Sequence, residues 1–211
     1  MRAIAALLIC LGLGLAACQP AGGGGGAAGG GALPDDMSLG NPAAKVTVME
    51  FASLGCPICS KWNNDLFAAF KTKYIDSGKV HYVLKEFSTG DAPVAAAGFL
   101  LARCAGKDKY FQVVDSVFHE EAPLLESNQP AQERDRLVKI AESAGMSEAQ
   151  FDACTGNDDA LKAFNDRVEA AAKKYNIDST PTFMINGKPL TGYQDMPALD
   201  KAIADAQAAA K

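Results

Sequence analysis

Apolar and β-branched residues dominate Val46–Ala52, putting Val46, Val48 and Glu50 on one face of an extended strand and Thr47, Met49 and Phe51 on the other. From Pro57 to about Asp76 the period lengthens: Trp62, Leu66, Ala69 and Phe70 recur at helical spacing, and Ser77-Gly78 ends the helix. Lys79–Phe87 reads as a second strand. Strand, crossover helix and strand predict a parallel βαβ unit. Five helical patterns follow, over Ala92–Ala105, Lys109–Glu121, Ala131–Ala144, Ser147–Cys154 and Asn157–Tyr175, broken at Gly106, Pro123, Gly145 and Gly156. This all-helical stretch, about residues 91–175, is an insertion between two β-containing parts. The strand pattern returns at Thr182–Ile185. Asn186-Gly187 then signals a two-residue hairpin into Lys188–Thr191, and a closing helix runs from Met196 to Ala209 with Leu199 and Ile203 on its apolar face. No internal repeat is visible.

The N-terminus follows other rules. Met1-Arg2 and the apolar stretch to Leu15 read as an export signal, too short for a membrane span and excluded from the fold. Small residues directly before a cysteine, Leu15-Ala16-Ala17-Cys18, resemble a bacterial lipobox, which makes residues 1–17 the signal and Cys18 the acylated first residue. An ordinary secretory signal cleaved near Ala17 or Ala21 is the alternative. The glycine-rich run up to residue 35 is then a lipidated tether that cannot pack a core. Gln19 after the cysteine favours the outer membrane over the inner one by the enteric sorting rule. Residues 36–211 are enough for one well-buried domain.

Charge narrows the partners. The whole chain carries −5 at pH 7, and losing Arg2 with the signal leaves 19 basic against 25 acidic residues, about −6. Nothing in that balance points to nucleic acid.

Six cysteines carry the chemistry. Cys10 leaves with the signal and Cys18 is taken by lipid, so Cys56, Cys59, Cys104 and Cys154 remain, an even number in an oxidising compartment. Cys56-Pro57-Ile58-Cys59 lies between a strand and a helix, with both sulfurs on one helix face. One thiolate can attack a disulfide and the other can resolve the mixed disulfide, without metal or cofactor. Cys56, at the helix N-terminus, is the expected nucleophile, its anion favoured by unpaired N–H groups; Pro57 suits the first helical position. Cys59, one turn further in, is the expected resolver. A zinc site would need a second cysteine pair or histidines, and only His81 and His119 are on offer. Cys104 and Cys154 are left as a structural disulfide, or else as two separate buried thiols.

The order βαβ, helical insert, ββα resembles the thioredoxin fold as elaborated in the DsbA-like thiol-disulfide oxidoreductases, over about residues 38–208. Beyond the dithiol, three motifs carry the resemblance: Gly40-Asn41-Pro42 leading into Lys45-Val46-Thr47-Val48, Glu50 six residues before Cys56, and Thr180-Pro181-Thr182-Phe183 followed by Asn186-Gly187. The resemblance implies that Pro181 is a cis-proline facing the dithiol, with the Thr180 backbone free to pair with an extended substrate; read from the residues alone, an ordinary trans proline opening a strand is favoured. It also implies that Glu50 lies beneath the active site. A buried carboxyl there should have a raised pKa and exchange a proton with Cys59. Lys85 is either its partner or a surface residue. Trp62, Phe67 and Phe70 read as core rather than substrate groove.

The implied activity is disulfide formation or exchange in exported proteins, in the periplasm, by a monomer reoxidised by a quinone-linked DsbB-type membrane partner or reduced by a membrane reductase. Pro57-Ile58 replaces the Pro-His of strongly oxidising members, and Thr180 is closer to the isomerases. Residues 19–35 nevertheless offer no folded dimerisation region, so an oxidase is favoured over an isomerase or reductase. A lipid-anchored binding or holdase module is the reading from a different class, and it would have no use for both the dithiol and Thr180-Pro181.

Overall fold

The computed structural model describes residues 35–126 and 129–210. The signal, Cys18 and nearly all of the tether lie outside the described residues. A five-stranded sheet runs in the order β1-β3-β2-β4-β5, with β1 Met37–Gly40, β2 Val46–Ala52, β3 Val80–Glu86, β4 Thr182–Ile185 and β5 Lys188–Thr191. Strands β2 and β3 are parallel and every other pair is antiparallel. The alternation read for β2 is seen in its packing. Val46 and Val48 join the larger core beneath the first helix, while Met49 and Phe51 join a smaller one with Val83, Ala171 and Ile177 on the opposite face.

Strand β1 is absent from the sequence reading. Four residues, Met-Ser-Leu-Gly, are too few to establish a period, and their strand conformation comes from pairing with β3, where Met37 faces Leu84 and Gly40 faces His81.

The helix after the dithiol occupies residues 57–75 as α1 Pro57–Trp62 and α2 Ala68–Phe70, each followed by a π-helical turn, Asn63–Phe67 and Lys71–Ile75. Residues eight apart on a regular α-helix are rotated by about 80°. The wider π turns take up that difference, so Trp62 and Phe70 both stay buried, their rings 5.8 Å apart, and Trp62 packs 4.7 Å from Phe183 of β4. Ala69, which strict helical spacing puts on the apolar face, is exposed as a result, and Phe67 is only half-buried.

The insertion comprises α3 Ala92–Cys104, α4 Tyr110–Glu126, α5 Pro130–Ser143, α6 Glu148–Thr155 and α7 Asp158–Tyr175. Helix α4 does not break at Pro123 but continues one turn past it. Burial of Leu124 holds that turn against the core, outweighing the backbone bond that proline removes. Cys104 and Cys154, 50 residues apart, are joined in a disulfide between α3 and α6 with Cα atoms 6.4 Å apart. A cross-link closing a loop of that length stabilises by about 4 kcal/mol in the chain-entropy account. The C-terminal helix α8 Met196–Ala209 covers β2 and β4 with Leu199 and Ile203.

Candidate active site

Three segments distant in sequence meet beyond the C-terminal end of β2, the central strand. The first is Ser53–Cys56, leading into α1. The second is the loop after β3: Phe87 donates its N–H to the Ala52 carbonyl at 2.9 Å and Asp91 donates to the Gly55 carbonyl at 2.9 Å. The backbones approach so closely that a Cβ on Gly90 would lie 1.9 Å from the Gly55 oxygen, and one on Gly55 would lie 2.1 Å from the Asp91 oxygen. Glycine is therefore required at both. Asp91 also caps α3, its carboxylate accepting from Val94 N–H at 3.0 Å, so the insertion is tied to the site at its first residue. The third segment is Thr180-Pro181, joined by a cis peptide bond. The register of β4 on β2, Thr182 opposite Phe51, carries this pair to the dithiol.

Cys56 and Cys59 are both free thiols. Cys59 is fully buried, Cys56 keeps 7% of its surface, and Ile58 between them is 48% exposed. The Cys56 carbonyl accepts from the Cys59 and Ser60 N–H groups at 2.9 and 3.1 Å, which starts the helix, and the Cys56 thiol donates to the Thr180 carbonyl at 3.6 Å.

Their surroundings drive the two thiols apart. Chiefly because the Cys59 thiol donates a hydrogen bond to its sulfur, Cys56 is brought down from 9.0 to about 5; burial opposes this, and the Thr180 side chain and the backbone N–H groups of Cys59 and Ile58 assist. The backbone N–H groups at the helix start, to which the sequence pointed, are among the smaller causes. Cys59 is pushed well above the ordinary thiol range, first by burial and then by the hydrogen bond and charge of Cys56.

Glu50 is buried below, its Oε2 accepting from Tyr82 Oη at 2.6 Å. Burial raises its carboxyl to about 8, against the lowering effect of the Tyr82 bond and with a smaller push from the Cys56 charge. Lys85 is neither its partner nor a surface residue. It is buried, paired with Asp36, and lies 5.1 Å from the centre of the Tyr175 ring. Strand geometry explains this: Lys85 is the register partner of Phe51, not Glu50, and side chains alternate faces along a strand.

Sequence reasoning missed four residues near the dithiol. Tyr82 is Glu50's hydrogen-bond partner. Ser53 donates to the Thr89 carbonyl at 2.8 Å, and the Thr89 and Thr180 hydroxyls are hydrogen-bonded to each other. Glu121 of α4 is buried, with its carboxyl raised by burial and then by the charge of Cys56. The one local signal was Thr89-Gly90-Asp91, a turn and cap just before a helical pattern. Among the described residues, no three His, Cys, Asp or Glu side chains are grouped as a metal ion would need.

Comparison with known proteins agrees with this architecture. The family profile described as Thioredoxin matches residues 32–205. A protein of Rickettsia conorii named as a protein-disulfide oxidoreductase is 31% identical over 181 residues, covering 84% of this chain and 64% of its own length. Another, from Rickettsia typhi, is 30% identical over 175 residues, 81% of this chain and 63% of its own, so the chain spans less than two thirds of these relatives. Disulfide bond formation protein D of Bacillus subtilis is 28% identical over 172 residues, 78% of this chain and 74% of that protein. The crystal structure of α-DsbA1 from Wolbachia pipientis superposes with a TM-score of 0.74 at 25% identity, covering 85% of this chain and 94% of the other. The family profile spans both halves of the sheet and the helices between them, and the chain belongs to the thioredoxin family, in its DsbA-like form with a helical insertion.

Proposed function

We propose that this chain is a thiol-disulfide oxidoreductase that forms disulfides in exported proteins, with Cys56 as the exchanging sulfur and Cys59 as its internal partner. The observation that carries this reading is the asymmetry of the dithiol: Cys56 stands at the helix start against the Thr180 carbonyl beside the cis peptide bond, its thiol brought down to about 5, while Cys59 is fully buried and pushed far up. At neutral pH the reduced form keeps a stabilised thiolate on Cys56, which favours reduced enzyme and hence oxidised substrate. The names of the Rickettsia and Bacillus relatives support the same class.

A substrate thiolate attacks the Cys56 sulfur of the oxidised enzyme. A bond forms between substrate and Cys56, and the Cys56–Cys59 bond breaks with its electron pair going to Cys59. Glu50, still protonated at neutral pH with its carboxyl at about 8, supplies the proton that Cys59 takes up. A second substrate thiolate then attacks the first substrate sulfur and expels Cys56 as thiolate. The substrate loses two electrons and two protons; the enzyme gains both electrons, one proton restores Glu50 after its own has passed to Cys59, and the other goes to solvent. An extended substrate segment would pair with the Thr180 backbone beside Pro181. A DsbB-type membrane partner would take the two electrons and restore the disulfide; no cofactor is needed in this chain.

Envelope placement and monomeric action belong to the same proposal. The apolar N-terminal stretch and Leu15-Ala16-Ala17-Cys18 support export and lipid anchoring at Cys18. Detergent partitioning of the mature protein should be lost in Cys18→Ala, and unchanged partitioning would remove the anchor. For the activity, Cys59→Ala should accumulate mixed disulfides with envelope proteins, whereas Cys56→Ala should accumulate none. Equilibrating the dithiol with glutathione decides the direction: a couple more reducing than glutathione would replace the oxidase with a reductase or isomerase.

A further inference from the structure

Three hydroxyls form a path from the end of β2 to the dithiol. Ser53 is fully buried and holds the Thr89 backbone: its Oγ accepts from Gly55 N–H at 3.3 Å and donates to the Thr89 carbonyl at 2.8 Å. The Thr89 hydroxyl is thereby fixed against the Thr180 hydroxyl, 91 residues away, and the two are hydrogen-bonded. Either oxygen can be the donor in that pair. The Thr180 side chain also favours the anion of both sulfurs, Cys56 and Cys59, and its carbonyl accepts from the Cys56 thiol at 3.6 Å.

Proton counting selects the direction. A threonine hydroxyl has one proton to donate and two lone pairs to accept with. If Thr180 donates to Thr89, it has nothing left for a thiolate. If Thr89 donates, the Thr180 proton is free for sulfur and its oxygen is still satisfied. A thiolate accepts only, so its formation favours the second arrangement.

We propose that Thr89 is a positioning residue for the dithiol: its hydroxyl donates to Thr180 and turns the Thr180 proton onto whichever sulfur carries the negative charge. In the reduced enzyme that sulfur is Cys56. As substrate forms its bond to Cys56 and Cys59 departs as an anion, the same hydroxyl can turn to Cys59, whose anion the Thr180 side chain also favours. With Cys56 protonated, its thiol donates instead to the Thr180 carbonyl and the hydroxyl pair is free to reverse. The inference rests on the reading of Cys56 as the exchanging thiolate, and deepens it by naming a residue from the β3–α3 loop.

The test titrates the thiolate absorbance of the reduced full-length protein against pH, which needs no substrate. Thr180→Val should raise the Cys56 thiol pKa by about one unit, and Thr89→Val by about half a unit. Thr89→Ser, which keeps the hydroxyl, should restore the parental titration. The double variant Thr89→Val/Thr180→Val should titrate with Thr180→Val alone, since Thr89 acts only through Thr180. Thr89→Ala leaves the Ser53 bond to the residue 89 carbonyl intact and serves if valine prevents folding. An unchanged titration in Thr89→Val or Thr89→Ala, or shifts that add in the double variant, would overturn the relay. Mixed-disulfide trapping by Cys59→Ala, measured separately, reports on the exchange reading whatever the relay does.

Discussion

Glu50 and Glu86 make an informative pair. They lie on adjacent strands, β2 and β3, and each is almost completely buried, at 2% and 5% exposure. Glu86 is surrounded by cations: Oε1 accepts from Arg103 Nε at 2.5 Å and Tyr110 Oη at 3.0 Å, and Oε2 from Arg167 Nε at 2.9 Å. Glu50 has Tyr82 and, among the described residues, no cation in its hydrogen bonds or ion pairs. A buried carboxylate bonded to two arginines ties β3 to α3 and α7; one with a single phenol holds a proton up to about pH 8. Equal burial of one residue type thus yields a strut in one place and a proton store in the other, and the partners decide which.

The largest expected effect tests the strut. Glu86→Ala leaves Arg103 and Arg167 without their carboxylate and should cost about 3–5 kcal/mol in urea unfolding, with the Cys56 titration unmoved. A cost near zero would erase the contrast.

Glu50→Gln should change chemistry more than stability. Release of Cys59 from the Cys56–Cys59 disulfide on attack by a substrate thiolate, followed by stopped-flow at neutral pH, should slow by about 10²-fold, the lower end for a positioned acid. The pH dependence of stability has a definite sign. The Glu50 carboxyl is raised from 4.5 to about 8, so the folded chain holds the extra proton, and stability falls as pH rises from about 4.5 until the fall is complete above about 8. Cys56, lowered from 9.0 to about 5, contributes the opposite slope in the reduced protein: stability present above 9 is lost as pH falls to about 5. Disulfide-bonded protein lacks the second contribution. Denaturation of that form across pH 5–8 should show the fall, and Glu50→Gln should flatten it.

Tyr82→Phe removes the phenol hydrogen bond to Glu50. Tyr82 donates to the carboxylate and lowers its pKa, so the variant should raise the Glu50 carboxyl further, by about one unit, in the infrared carboxyl band followed against pH. No movement would mean that burial alone sets the proton.

Glu121→Gln should have the smallest effect. Its carboxyl and the Cys56 thiolate repel each other from across α1 and α4, so removing its charge should lower the Cys56 thiol pKa by about 0.3 unit. A rise instead would show that Glu121 acts as a hydrogen-bond partner.

Much of this was legible along the chain because it is local. The β2 alternation, the Asn186-Gly187 hairpin and the Cys56-Pro57-Ile58-Cys59 helix start each follow from side-chain period or backbone preference within a few residues. Strand β1 was not legible, since four residues become a strand only by pairing with β3. The π turns shifted Ala69 to solvent while Trp62 and Phe70 stayed inside, which a fixed 3.6-residue period cannot anticipate. At the site, the Cys56 and Cys59 dithiol could be read from its spacing, and Glu50 from its oddity on an apolar strand face.

What the sequence determined by itself, then, was the chemical inventory and the order of elements: a dithiol at the end of a strand, a carboxyl on an apolar strand face, a proline opening a later strand and an all-helical insertion between the two halves. Only the tertiary structure decided which groups touch. Lys85 went to Asp36 because adjacent strand positions face opposite sides, Tyr82 became the partner of Glu50, and the loop carrying Thr89 closed onto Thr180 through two glycines. Proton affinity in a buried site depends on contacts a few ångströms long between residues up to 124 positions apart, and such contacts are set by packing rather than by local period.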